Sequence, residues 1–427
     1  MKNIIRTLSM GLLTLVCAYL YISAETPIFE NIIIKENPKL DIKKEENQAL
    51  EYLNKLRVGA GLIPLRKNEK LADAATNHAN YLIVNNLIGH YEDKNKIGYT
   101  GDYGSQRSIH SGYKTSMVIE NISNNNISAK ESIDGLMGAI YHRFGFLDFH
   151  IDEIGIGIKQ SYKDKSQTAF VYDMGSHNLE EVCQKKNSIT SGEYASNICA
   201  DKSLKIRAEL FNRVLDSNRK RNKKVVIYPY NNQTDIPPAF YDELPDPLPN
   251  YSVSGFPISI SFNDSYFRKI EMISFKLFDK NNKEIKNTIV YDYKTDPNQR
   301  LKKFEFALFP LKRLAWNSQY SVEFIYKNGN KIKKKYWSFK TRKFEKPIHK
   351  VTSTNNSFNV NIGETNIFYF PPKTRKDILG NLKYPANLDI NFIDKNTIEL
   401  VVNSADSKSI TLDIGKYKLN LNIQKNI

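Results

Sequence analysis

Three short stretches carry residue types that could do chemistry together: Gly89-His90-Tyr91-Glu92, Ile119-Glu120-Asn121 and Tyr141-His142-Arg143. All but one of the seven histidines lie in the first 177 residues, His349 being the exception. Two imidazoles and a carboxylate suit a zinc-like cation, because neutral imidazole nitrogen and carboxylate oxygen both donate to it, and an open coordination position would activate water. The same groups could instead serve as acid and base near neutral pH, or only bind. Polar side chains in a cleft can also do no more than tie loops together. The chain has no His-Glu-x-x-His, no Gly-x-Ser-x-Gly and no phosphate loop. His78 lies between apolar turns of an expected helix and reads as a packing histidine. His110, His150, His177 and His349 carry no functional expectation.

The elements that must position these residues follow from periodicity. Ala49, Leu50, Leu53 and Leu56 recur at helical spacing over Asp41 to Val58, ending near Gly59 and Gly61. A second helix starts at about Asn68, buries Leu71, Ala74, Ala75, Ala79 and Leu82, and is expected to stop at Gly89. A third starts at Ser128, where Ser128-Ala129-Lys130-Glu131 has capping-box spacing. Residues 154–174 alternate as half-buried strands do. Cys183 and Cys199 are the cysteines left once Cys17 is removed with an expected export signal over residues 1–24, and they should pair, closing a loop worth roughly 3 kcal/mol. The prolines between Ile236 and Pro249 mark a stiff spacer and a boundary. Beyond it, strands dominate, with Asn328-Gly329 as the clearest hairpin signal. The expected division is therefore 1–24 signal, 41–175 mixed module, 176–235 helical disulfide-bearing extension, 236–345 Ig-like β-sandwich, and 346–427 a further β-module.

In the first module, Asn54-Lys55-Leu56-Arg57, Gly61-Leu62, Pro64-Leu65, Leu71-Ala72-Asp73-Ala74-Ala75, Gly89-His90, Glu120-Asn121-Ile122, His142-Arg143 and Ile154-Gly155-Ile156-Gly157 follow in that order. This series resembles the CAP domain of cysteine-rich secretory proteins, antigen 5 and pathogenesis-related 1, in its bacterial form, over roughly residues 41–175. The resemblance implies an α+β chain whose first module is an α-β-α sandwich, with a central groove lined by two histidines and one or two glutamates. His90, Glu120 and His142 match the family positions and would be the metal-binding set, with zinc or another divalent cation. Ile119 and Tyr141 stand where the family has glycine before Glu120 and His142, and the animal-type Gly-His-Tyr-Thr-Gln run is missing. The family's second glutamate has no match. Glu131 precedes His142 by eleven residues, about 16 Å along an unbroken helix, which suits a cap better than a shared ligand. Glu92 would share a face with His90 in an extended segment and joins the groove set. The stretch from Gly98 to Gly104, with Tyr99 and Tyr103, could line the groove or form an ordinary loop.

At 427 residues, 41% hydrophobic and 25% charged, the chain is long enough for two or three domains and too ordinary in composition for wholesale disorder. A formal charge of +16 favours acidic surroundings without naming one. The basic runs at Arg219-Lys220-Arg221 with Lys223-Lys224, and at Lys331 with Lys333-Lys334-Lys335, read as solvated faces. No nucleic-acid motif accompanies them, and no transmembrane span is expected in the mature chain. The leading expectation is an exported protein, periplasmic or extracellular, whose groove binds a lipid, an envelope glycan or a peptide. A hydrolase acting on envelope polymers or peptides, and a structural adhesion protein with a vestigial cleft, are the alternatives.

Overall fold

The computed structural model describes residues 37–424, apart from 186–188, 190, 381 and 383. The expected export segment, residues 1–24, lies outside the described residues. Two compact units result: residues 37–345 together with 372–378, and residues 346–371 together with 379–424.

The larger unit begins with helix α1 (Ile42–Ala60), whose first turn is capped by the Asp41 carboxylate and whose end turns through Gly61 at φ 102°. Strand β1 (Arg66–Lys67) leads to α2 (Glu69–Asn85), capped by Asn68. This helix stops at Asn86 in the left-handed region rather than at Gly89, since asparagine tolerates that backbone. Next come α3 (Gly104–His110), β2 (Ile119–Asn124), α4 (Ala129–Gly138) and α5 (Ile140–Phe146). Ser128 caps α4, while the Glu131 side chain accepts from the Ile127 N–H. The helix breaks at Ala139, whose ψ of 116° is extended, so the unbroken path from Glu131 to His142 does not exist. Strands β3 (Glu153–Gln160) and β4 (Thr168–Gly175) complete a sheet of order β1-β3-β4-β2. Phe170, Tyr172 and Met174 face a core shared with α1 and α4; Ala169 and Val171 face α2. The result is a sheet between helical layers. Gly155 and Gly157 make it possible: a Cβ at either would lie 1.9 to 2.2 Å from the backbone of α2.

Helix α6 (His177–Gln184) carries Cys183, which is disulfide-bonded to Cys199. The two-residue strands β5 (Tyr194–Ala195) and β6 (Ile206–Arg207) precede α7 (Ala208–Arg221). Two four-stranded sheets then form the β-rich part. One contains β7 (Val225–Tyr228), β11 (Ile258–Phe262), β13 (Thr288–Tyr291) and β14 (Glu305–Pro310). The other contains β8 (Gln233–Ile236), β12 (Ile270–Phe278), β15 (Gln319–Asn328) and β16 (Lys331–Thr341). Both therefore take in strands before residue 236, where the boundary was expected. The hairpin registers Asn328 opposite Lys331, placing Gly329-Asn330 at its tip. The proline-rich segment is no spacer between bodies: β9 (Ala239–Phe240) pairs with β10 (Ser254–Gly255), and the chain between them meets the first module. Arg143, fully buried, places its guanidinium 5.0 Å from the Tyr228 ring and 4.8 Å from that of Phe256. One hydrophobic core runs from Leu53 and Met137 through to Phe262 and Trp337.

The smaller unit is all β. Strands β17 (Ile348–Lys350), β19 (Thr365–Tyr369), β20 (Leu388–Asp394) and β21 (Thr397–Val402) form one sheet. Strands β18 (Asn355–Asn361), β22 (Ser409–Ile414) and β23 (Tyr417–Gln424) form the other. Phe368, Leu400, Leu412, Leu419 and Leu421 fill its own core. Among the described residues, no helix is long and apolar enough to cross a membrane.

Candidate functional site

His90, in the turn after α2, and His142, near the start of α5, lie across one cleft with ring centroids 6.2 Å apart and planes 18° from parallel. Each imidazole is held by a carboxylate at Nδ1. The His90 Nδ1–H donates to Glu120 Oε1 at 2.8 Å, and the His142 Nδ1–H donates to Glu243 Oε1 at 2.8 Å. Those bonds select the Nδ1–H tautomer and leave each Nε2 lone pair free.

Glu120 on β2 is 7% exposed at its side chain, and its second oxygen accepts from the guanidinium of fully buried Arg107. Burial alone would raise its pKa; the hydrogen bond from His90 and the charge of Arg107 overcome that and lower it to about 2. Its cross-strand partner Asp173 is fully buried and goes the other way. Burial, and then the Glu120 charge, hold its carboxyl well above the usual carboxylate range. Arg107, on α3, also donates to the carbonyl oxygen of His90 at 3.0 Å and so fixes that turn from beneath. Gly104 is the point of contact, where a Cβ would stand 3.0 Å from Glu120 Oε2.

Glu243 comes from the proline-rich segment, and its Oε1 also accepts the backbone N–H groups of Tyr141 at 2.8 Å and His142 at 3.1 Å. Sequence reasoning missed it. A lone glutamate among prolines, 101 residues from its histidine, gives no local signal. Arg107 was missed as well, since α3 is too short for a periodic stripe.

Glu92 does not join the groove. Its side chain is fully buried, accepts from His78 Nδ1 at 2.8 Å, and takes the Thr100 N–H at 2.7 Å. His90 lies in a bend and residues 90–92 form no strand, so the alternation that would have kept Glu92 on the His90 side does not apply. His78 is a satisfied core histidine, with Nε2 3.0 Å from the Gly89 carbonyl oxygen. Tyr91 and Tyr103 instead make an exposed edge-to-face pair outside the cleft.

The cleft has a volume of about 390 Å³. His90, Glu120, Asn121, Tyr141, His142 and Asp148 form one wall; Leu244 and Pro245 of the proline-rich strap, with Arg300, Lys302 and Glu305, form the other. Tyr141 serves this junction: its hydroxyl donates to Asp296 and accepts from Asn298 Nδ2 at 3.0 Å.

The profile of the cysteine-rich secretory protein family matches residues 50–174. These residues form a CAP domain. Solved structures similar to the chain include an outer surface protein from Borrelia burgdorferi, at 18% identity and TM-score 0.29, covering 33% of this chain and 97% of that one. An extracellular protein containing an SCP domain from Bacillus anthracis aligns at 17% identity and TM-score 0.27, over 32% of this chain and 44% of that one. A cysteine-rich secretory protein from Staphylococcus aureus aligns at 18% identity and TM-score 0.25, over 33% and 42%. This chain thus spans less than half of the latter two. No curated protein matches the sequence.

A second group could hold a metal ion: Glu153 at the start of β3 with His177 and Glu180 of α6, whose ligand atoms lie within 4.8 Å of one another. His177, given no functional weight on sequence, belongs to it. Two of its carboxylate oxygens are already engaged, since Lys70 Nζ lies 2.6 Å from Glu180 and the Tyr113 hydroxyl donates to Glu153 at 2.6 Å.

Proposed function

We propose that this is an exported protein that binds a ligand in the cleft of its CAP domain, with a divalent cation such as zinc held by the Nε2 atoms of His90 and His142. The observation that carries the reading is the pair of carboxylate-anchored imidazoles facing one another at 6.2 Å in a single cleft. The donor set suits zinc, since a carboxylate on Nδ1 raises the basicity of the ligating nitrogen and fixes the ring. When bound, the cation would supply a Lewis-acidic anchor for an oxygen of the ligand. The chain's own residues do the rest: Arg107 holds Glu120 in place, Glu243 orients His142, and the strap narrows the opening. The roles of Glu120 and Glu243 on this reading are orientation, because Glu120 already uses both oxygens on His90 and Arg107.

The ligand classes in view are lipid, envelope glycan and peptide. The Cys183–Cys199 disulfide fits an oxidising compartment, periplasmic or extracellular. Calorimetric zinc titration of the wild type and of His142→Ala and His90→Ala tests the reading. One saturable site in the wild type, weakened at least a hundredfold in each variant, is the expected result. Equal zinc affinity in all three proteins would defeat it. Turnover of an envelope polymer that vanishes in both variants would move the assignment from binding to hydrolysis.

A further inference from the structure

Beyond the CAP domain, the second wall of the cleft is built as carefully as the first. The loop bearing Arg300 is organised around Asp296, which is 4% exposed. One oxygen of Asp296 accepts the N–H groups of Arg300 at 2.6 Å and Leu301 at 2.9 Å, and the other accepts the Tyr141 hydroxyl of the opposite wall. Asn298 ties the same loop to the Asp246 carbonyl of the strap at 2.9 Å. Tyr141 stands where the resembling family has glycine, so this departure is what couples the Arg300 loop to His142.

The charges of the cleft are matched, with one exception. Glu120 is met by Arg107 and His90, and Asp148 by Lys302 Nζ at 2.6 Å and His150 at 2.7 Å. Glu305 accepts the Lys302 backbone N–H at 2.7 Å. Arg300, an exposed residue, is among those lining the cleft, and its guanidinium has no hydrogen-bond or ion-pair partner among the described residues. We propose that this wall is an oxyanion subsite: the ligand of the cleft carries a carboxylate or phosphate group that Arg300 receives, with Lys302 beside it. A guanidinium presents a planar fork that matches such groups in two hydrogen bonds. Burial pushes the Glu305 carboxyl up to about 7, against the pull of Lys302, so below neutrality it does not oppose an arriving anion. The inference deepens the cleft-binding reading and does not depend on the cation.

The test is an amide chemical-shift titration of the full-length protein, at fixed ionic strength, with inorganic phosphate and separately with acetate. Saturable shifts are expected in residues 296–305 and 141–145, and the affinity should fall at least tenfold in Arg300→Gln. That side chain is exposed and has no hydrogen-bond or ion-pair partner among the described residues, so the melting temperature of the variant should match the wild type. Tighter binding of phosphate assigns a phosphate-bearing ligand, and tighter binding of acetate a carboxylate-bearing one; either supports the subsite. Equal affinities of wild type and Arg300→Gln for both anions, or no saturable shift with either, would overturn it. Zinc titration separates the two claims, since Arg300→Gln should keep the wild-type zinc affinity. Loss of zinc binding in His142→Ala bears only on the metal.

Discussion

Beneath the cleft, Arg107 is fully buried and its charge is matched by Glu120 alone at hydrogen-bond distance among the carboxylates. Removing one member of such a pair strands the other, at about 3–5 kcal/mol. Glu120→Ala should therefore lose roughly that much stability in urea unfolding, and Glu120→Gln distinctly less, because the amide oxygen can still accept from Arg107. Glu305 acts in the opposite sense. Its folded pKa of about 7 lies above the ordinary 4.5, so the proton it retains stabilises the fold below pH 4.5, and that contribution is lost as pH rises through 7. Relative to Glu305→Gln, which keeps an acceptor for the Lys302 N–H, the wild type should become less stable between pH 5 and pH 8 by up to about 3 kcal/mol. At this scale, His90, Glu120 and His142 were legible because they sit in short motifs of fixed order. Glu243 was not, because nothing in a proline-rich stretch announces which distant imidazole it will meet.

The strap from Glu243 to Pro245 is the element on which the second half of the site depends. Glu243 Oε1 collects three donors, two of them backbone N–H groups at the start of α5. Glu243→Ala should raise the amide exchange rates of Tyr141 and His142 at least tenfold and weaken zinc binding by about 10–100-fold, as loss of an orienting carboxylate does. Unchanged exchange at both amides would mean that the strap is held by other contacts. Apolar periodicity made the long helices readable in sequence, with a capping signal at Ser128, and Asp41, Asn68 and Ser128 each accept a backbone N–H of the first turn. The break at Ala139 directly follows Gly138, but an isolated glycine is tolerated within a helical pattern, so the apolar period alone did not disclose the break. The strap was misread as a spacer, since proline density reports stiffness and says nothing of what the stiff segment lies against.

For the molecule as a whole, the sequence shows two kinds of material, helix-rich then strand-rich, and the order in which they come. It does not show that the CAP domain and the following β-sheets share one core, because that depends on contacts such as Arg143 with Tyr228 and Phe256, across 85 residues or more. Mutating Cys183 and Cys199 to serine should lower stability by about 3 kcal/mol on the loop-entropy account while leaving zinc affinity unchanged, since the disulfide lies outside the cleft. A matching loss of zinc binding would show that α6 supports the site. The most direct check of the whole account is the anomalous scattering at the zinc edge from crystals of the full-length protein grown with zinc. The account predicts one ion between the Nε2 atoms of His90 and His142, at about 2.0–2.1 Å from each. An ion bound instead by Glu153, His177 and Glu180, with none in the cleft, would contradict it.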